Sequence, residues 1–161
     1  MESFVIRRAT RADVPLVFEL IKGLSIYERR PQDVTGSEDA LAYWLFERRV
    51  ATVLIGELEG RAIAYAIYYP VFGSFAAEGR VHLEDLFVLP EFRGKGLGHQ
   101  LLARVAAEVL AEGYTGMEWS ALAWNIPAVT FYSRLGATQE TGRTYMSFTH
   151  AQLQELSGEK R

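Results

Sequence analysis

Glycines alternate with basic and apolar residues in one short stretch, Arg93-Gly94-Lys95-Gly96-Leu97-Gly98. The stretch follows an apolar run that Pro90 ends, and it precedes a helical pattern over residues 99–112. The first amides of a helix have no partner within the helix, and the helix dipole adds partial positive charge there. Glycines leave that backbone uncovered, and Arg93 and Lys95 add formal charge. The spacing therefore predicts a cradle for a pyrophosphate group.

Other known motifs do not account for these residues. The Walker A pattern is absent, and the third glycine of a dinucleotide fingerprint comes one residue early, at Gly98. His82, His99 and His150 lack the spacing of metal ligands, and a chain without cysteine has no thiolate ligand or nucleophile. The sequence predicts no metal site.

Length and composition indicate an ordinary globular protein. A chain of 161 residues with 49% hydrophobic and 23% charged residues can build one domain, which we expect to span residues 1–161. A net charge of −3 without clustered Lys and Arg argues against nucleic acid as a partner. No apolar run approaches the length of a membrane span or resembles a signal segment, so we expect a cytoplasmic protein.

Hydrophobic periodicity predicts strands and helices along the whole chain. The predicted strands are Phe4–Arg7, Ala51–Glu57, Ala62–Tyr69, Val81–Leu89, Gly116–Leu122 and Arg143–Phe148, with a loop over Pro70–Gly79. The predicted helices begin behind a capping box at Thr10–Asp13, behind Ser37, after the glycines, at Ala128 and behind Thr149. This order predicts an α+β fold with a mixed, mostly antiparallel central sheet flanked by helices on both faces.

The chain resembles the GNAT superfamily of acetyl-CoA-dependent N-acetyltransferases. The likeness rests on the glycine stretch with the strand before it, Leu83–Gly94, and on Ala123–Ala128 followed by Phe131–Ala137. Val5–Ala9 and the pair Tyr27-Glu28 are similar to the spermidine/spermine and thialysine acetyltransferase branch. The resemblance implies a GNAT-like acyl-CoA N-acyltransferase fold, acetyl-CoA as cofactor and a homodimer.

The resemblance also implies which residues hold the cofactor. Backbone groups near Phe87 and Val88, where the strands of this family splay at a bulge, would receive the pantetheine arm and the acetyl carbonyl. The full cofactor-binding set that it implies is Leu86, Phe87, Val88, Arg93, Gly94, Lys95, Gly96, Leu97, Gly98, His99, Asn125, Pro127, Ala128 and Phe131.

Acetyl transfer to an amine needs a base and an acid. An alkylamine with a pKa of roughly 10 must lose a proton before it attacks, and the departing thiolate must gain one. The resemblance assigns the base to Glu84, acting directly or through a water, and the acid to Tyr132. Strand alternation predicts that Glu84 and Asp85 point to opposite faces of the sheet, so that one of them faces the cleft.

The expected acceptor is a small cationic amine. The resemblance places Tyr27, Glu28, Glu84 and Asp85 around it, and a carboxylate there would attract a positive charge. Tyr68 and Tyr69 end a strand, so one of them can line the cleft while the other enters the core. The polyamine-acetylating members carry an acidic residue and a tryptophan in the loop before the strand that contains Glu84, whereas residues 72–78 here contain no tryptophan. A diamine or a lysine-like amino acid therefore fits as well as a polyamine.

Other interpretations of the same residues stay open. Glu84 also fits a solvated strand carboxylate, Tyr132 a packing residue and Asn125 a helix cap. At the level of function, the alternatives are a protein lysine or N-terminal acetyltransferase and a non-catalytic acyl-CoA-binding module. If the chain is an enzyme, the absence of cysteine favours direct attack in a ternary complex over an acyl-enzyme.

Overall fold

The computed structural model describes residues 3–158, which form two compact units that divide after Leu122. The first unit contains β1 (Phe4–Arg8), α1 (Val14–Tyr27), α2 (Glu38–Ala42), β2 (Thr52–Leu58), β3 (Arg61–Gly73), β4 (Glu78–Val88), α3 (Leu97–Ala111) and β5 (Met117–Glu118). The second contains α4 (Ile126–Arg134) and α5 (His150–Ser157). None of the helices within the described residues is long and apolar enough to span a membrane.

The described strands form one sheet in the order β1-β2-β3-β4-β5. Neighbouring strands from β1 to β4 are antiparallel, and β5 pairs with β4 in parallel. The predicted mixed, mostly antiparallel sheet is confirmed.

One face of the sheet packs against α1. Val17 and Leu20 of α1 are buried against alternate residues of the strands, since residues i and i+2 of a strand share a face. The strand residues in this core are Val53, Ile55, Tyr65, Ile67 and Phe87. We call this side the α1 face.

The other face packs against α3. Tyr68 is 1% exposed, and its hydroxyl donates a hydrogen bond of 2.9 Å to Glu112, the residue that follows α3. Leu101, Val105 and Val109 supply the buried stripe of the helix at helical spacing. The prediction that one of Tyr68 and Tyr69 belongs to the core is confirmed for Tyr68.

The predicted caps of the first two helices are present. The Asp13 carboxylate accepts a hydrogen bond of 2.7 Å from the Thr10 amide, and two bonds from Arg7 hold its pKa far below the ordinary value. The Ser37 hydroxyl accepts a bond of 3.1 Å from the Ala40 amide at the start of α2. The bonds between Arg7 and Asp13 tie the start of α1 to β1.

The hairpin between β3 and β4 is longer than predicted. The prediction of a loop over Pro70–Gly79 was wrong, because β3 continues to Gly73 and β4 begins at Glu78. Proline lacks an amide hydrogen, so it suits a strand position without a partner on one side. Pro70 meets this condition, because β2 pairs with β3 no further than Tyr68.

Two other predicted strands are corrected. The strand predicted over Gly116–Leu122 is reduced to β5, which pairs with Val81 and His82 before β4 bends. The segment Arg143–Phe148 forms no strand within residues 3–158, and Tyr145 is 96% exposed. An alternating sequence forms a strand only when a neighbouring strand supplies hydrogen-bond partners for its backbone. None of the described residues pairs with Arg143–Phe148 in this way.

Candidate active site

A β-bulge interrupts β4 beside the predicted base. Ile67 pairs with Asp85, and the next residue, Tyr68, pairs with Leu83, so Glu84 is the extra residue on β4. A bulge of this kind bends the strand and changes where its side chains point.

The bulge brings Glu84 and Asp85 to the same face. Glu84 accepts a hydrogen bond of 3.2 Å from the Tyr69 hydroxyl, and Asp85 accepts one of 2.9 Å from the Tyr65 hydroxyl. Tyr65 and Tyr69 lie four residues apart on β3 and so share the α1 face. The prediction that the two carboxylates point to opposite faces was wrong, because regular alternation does not hold across the extra residue.

A third carboxylate lies near this pair. Glu28 follows the last residue of α1, and its charge together with that of Glu84 raises the pKa of Asp85. Burial is the largest cause, and the pKa of Asp85 rises to about 6. Burial also raises the pKa of Glu28, and burial beside Asp85 raises that of Tyr65. We call Glu28, Glu84 and Asp85 the acidic cluster.

The acidic cluster has little positive charge against it among the described residues: the charge of Arg30 partly offsets the raised pKa of Glu28, and His82 lies 3.6 Å from Glu84. Within residues 3–158, no lysine or arginine forms an ion pair with any of its three carboxylates. Carboxylates that crowd together and lose water favour a bound positive charge, which would relieve their repulsion. The cluster can therefore bind and deprotonate an ammonium group.

The glycine loop, residues 93–98, has the backbone that an anion cradle requires. Gly94 and Gly96 have φ angles of 76° and 77°, in the left-handed region that side chains with a Cβ rarely adopt. No neighbouring atom lies within 4 Å of a Cβ placed at either glycine, so the space beside them is open. The first helical hydrogen bond runs from Gln100 to Gly96, and among residues 3–158 no acceptor binds the amides of residues 94–99. These amides and the positive end of α3 fit a diphosphate.

Basic residues of the glycine loop take two different positions. The Arg93 guanidinium lies 4.0 Å from the centre of the Tyr27 ring and 5.4 Å from that of Phe87, and its Nε donates 2.8 Å to the Val88 carbonyl. Lys95 is exposed, with its amine 5.7 Å from the Phe92 ring centre. Arg93 thus joins the loop to the end of α1, whereas the exposed amine of Lys95 can reach a phosphate bound at the loop.

Part of β4 has unpaired backbone groups on the side away from β3. The Leu89 amide donates to Ile63 on β3, so by alternation the amides of Leu86 and Val88 point the other way. Within residues 3–158, the pairing of β5 with β4 stops at His82. This side of β4 therefore offers the amides of Leu86 and Val88 as donors, and the bulge lies earlier in the strand than predicted, at Glu84.

The second unit holds the other predicted residues on one short helix. Asn125 is buried and caps α4, with its side chain accepting a bond of 3.3 Å from the Ala128 amide. Pro127 lies in the first turn, where its missing amide hydrogen costs nothing. The rings of Phe131 and Tyr132 are 5.1 Å apart at 66°, and both are half-buried. Asn125 therefore caps a helix, which the sequence analysis gave as the alternative to a cofactor contact.

Comparison with known proteins gives the family. Residues 20–137 match the acetyltransferase (GNAT) family. The chain belongs to this family. Thialysine N-epsilon-acetyltransferase from Sus scrofa is 32% identical over 98% of this chain and 99% of the relative. L-ornithine N5-acetyltransferase from Arabidopsis thaliana is 26% identical over 82% of this chain and 78% of the relative.

The GNAT fold is also found among solved structures. An integron cassette protein from the mobile metagenome of V. cholerae is similar with a TM-score of 0.78 and 26% identity, over 98% of this chain and 99% of that one. Family and fold confirm the resemblance, and the named relatives confirm the branch. The chain is an acetyltransferase of the GNAT family, whose members transfer acetyl groups to amines.

Two residues of this GNAT site were missed by the sequence reasoning. Tyr65 holds Asp85, and His82 lies beside Glu84. Tyr65 could have been found, because it shares a strand face with Tyr69. His82 was considered only as a metal ligand, and its neighbours become visible once the strands are paired.

Proposed function

We propose that this protein moves the acetyl group of acetyl-CoA to a primary amine of a small cationic substrate, by direct attack in a ternary complex. The observation that carries the proposal is the acidic cluster, in which burial raises the pKa of Glu28 and Asp85, and with which no lysine or arginine of the described residues forms an ion pair. The names of the two relatives refer to amino acids with a second amine on the side chain. We therefore favour a diamine or a lysine-like amino acid over a longer polyamine.

This proposal gives separate roles to the residues that bind the substrate, remove its proton and protonate the leaving group. Bound acetyl-CoA would supply the activated acetyl thioester. Glu28 and Asp85 hold the positive charge of the substrate, and Glu84 removes the proton of the reacting ammonium group, directly or through a water. Tyr132 gives a proton to the departing thiolate. The role of Tyr132 is carried over from the family resemblance.

The cofactor contacts are a further part of the proposal. Amides of the glycine loop would bind the diphosphate, with Lys95 adding charge. The outward-facing amides of Leu86 and Val88 would bind the pantetheine arm and the acetyl carbonyl. A single N-acetyltransferase domain and a homodimer follow from the resemblance, and light scattering of the purified protein tests the dimer.

A thiol-release assay with acetyl-CoA tests the function. The acceptor panel contains diamines, polyamines, lysine, thialysine, ornithine and lysine-containing peptides. We expect the highest kcat/KM with a short substrate that carries two amines. Transfer confined to peptides would indicate a protein acetyltransferase, and tight acetyl-CoA binding without transfer to any amine would indicate a non-catalytic binding module.

A further inference from the structure

His82 occupies a defined position beside the acidic cluster. Its ring stacks on the ring of Tyr69, its partner across β3 and β4, with centres 5.1 Å apart and planes at 28°. The His82 side chain is 24% exposed. The stack limits rotation of the imidazole and so fixes what its two nitrogens face.

Each nitrogen of this imidazole faces a carboxylate. Nε2 is 3.6 Å from Glu84 Oε2, and Nδ1 is 3.8 Å from Glu118 Oε1 on β5. Glu118 reaches this position because it is the residue that pairs with His82 in the parallel register. The two carboxylate side chains are each 53% exposed. A single ring thus spans from the proposed base to a carboxylate in contact with water.

We propose that His82 relays to Glu118 the proton that Glu84 takes from the amine. The inference rests on the proposed function, in which each turnover leaves one proton on Glu84. That proton must leave before the next ammonium group can be deprotonated. An imidazole can accept a proton on one nitrogen and release another from the other nitrogen.

The relay balances without any further reactant. The carboxyl proton of Glu84 passes to Nε2, and the proton on Nδ1 passes to the Glu118 carboxylate and then to water. The imidazole ends in its other neutral tautomer, and exchange with solvent at the partly exposed ring restores the first. The distances of 3.6 Å and 3.8 Å become hydrogen bonds if each carboxylate approaches the ring by less than about 1 Å.

The charged groups around His82 are compatible with this direction. Tyr69 donates to the same Glu84 oxygen that faces Nε2, which holds that carboxylate next to the ring. Asp85 and Glu28 add negative charge on the α1 face. Arg80, two residues before His82 on β4, has its guanidinium next to Gly116 and is in no ion pair with Glu84 or Glu118. The path from Glu84 through His82 to Glu118 therefore lies beside the negative charges of Asp85 and Glu28.

Two substitutions of His82 test the relay: one removes the ring, and the other keeps an aromatic ring that has no nitrogen. We expect H82A to lower kcat by about 10- to 100-fold with little change in KM for acetyl-CoA, and added imidazole to restore much of kcat. H82F keeps an aromatic ring to stack on Tyr69, and we expect a similar loss that imidazole does not restore. H150A, at an exposed histidine that begins α5, is the matched control and should retain native kcat.

Glu118 gives an independent arm. We expect E118Q to lower kcat by about 3- to 10-fold, and E59Q, in the exposed β2–β3 turn, to leave it unchanged. Native kcat in H82F, or a loss in H82A that imidazole does not reverse in a folded protein, would overturn the relay alone. An absence of transfer by the native protein to every amine of the panel would overturn the relay and the proposed function together.

Discussion

The acidic cluster and the glycine loop both border β4, and they differ in which atoms would meet a ligand. The loop offers amides of residues 94–99, and its geometry depends on two backbone angles at Gly94 and Gly96. The cluster offers three carboxylates, and its geometry depends on one extra residue in a strand. A site made of backbone amides tolerates changes of side chain but not of backbone conformation. A site made of carboxylates is lost when the carboxylates are replaced. The following predictions test this difference.

The largest effect is expected at the proposed base. E84Q keeps the size and the hydrogen bond from Tyr69 but cannot take a proton, so kcat should fall by about 100- to 10,000-fold. The KM for acetyl-CoA should stay within about twofold, because the loop amides are untouched. Steady-state kinetics of E84Q, with E59Q as control, provide the measurement. A larger fall of kcat in D85N than in E84Q would assign the base to Asp85.

Asp85 should limit stability at neutral pH. Its pKa is raised from 3.8 to about 6, so the unfolded chain loses this proton at lower pH than the folded protein does. The free energy of unfolding should therefore fall as pH rises from about 4 to about 6, by about 3 kcal/mol from this group.

The substitution D85N should remove this loss. We expect it to raise the midpoint of urea unfolding at pH 7.5 and to flatten the profile between pH 4 and 6, while KM for the amine rises. D39N, at an exposed carboxylate of α2, should change stability by less than about 0.5 kcal/mol. Equal midpoints for D85N and the native protein at pH 7.5 would contradict the assigned burial.

The glycine loop should respond to backbone strain alone. An alanine at Gly96 must adopt a φ of 77°, which costs about 1–2 kcal/mol. If this strain distorts the cradle, the Kd for coenzyme A measured by calorimetry should rise by about 5- to 30-fold in G96A. G36A is the control, because that glycine has open space around it and no left-handed φ. Equal affinity in the two variants would remove the cradle from the account.

Arg93 joins the two regions and should show the smallest effect. R93K keeps the charge but loses the planar contact with Tyr27 and the bond to the Val88 carbonyl, together worth about 1–2 kcal/mol. We expect KM for the amine to rise by about 3- to 10-fold, with KM for acetyl-CoA within about threefold. R61K, at an exposed arginine that also stacks on an aromatic ring, is the control. A rise confined to acetyl-CoA would show that Arg93 acts as a phosphate contact.

The sequence predicted the features that depend on local residue type. Gly94 and Gly96 lie at a strand-to-helix junction, and backbone freedom of this kind can be recognised from spacing. The caps at Thr10–Asp13 and Ser37 were predicted for the same reason, since each needs four neighbouring residues. Glu28, Glu84 and Asp85 were named from the family resemblance, and the fold places them close enough for the charges of Glu84 and Glu28 to add to the effect of burial on the pKa of Asp85.

Features that depend on pairing between distant residues were not predicted. Nothing in the residues around Glu84 indicates a bulge, because its position is set by which β3 residues pair on either side. The contact of His82 with Glu118 joins residues 36 positions apart, and it needs the parallel register of β5. The position of Arg93 over Tyr27 depends on where the far end of α1 lies.

The extra residue in β4 also ties the acidic pair to the hydrophobic interior. Before the bulge, the odd-numbered Leu83 pairs with Tyr68 on the α3 side of the sheet, and after it the odd-numbered Phe87 packs on the α1 side. Pairing Glu84 in the ladder without a bulge would turn one half of the strand inside out, whereas deleting Glu84 would leave both halves on their present faces. The core therefore excludes Glu84 from the ladder but does not require its presence, so a chain that lacks this residue should keep its fold and lose the acidic pair.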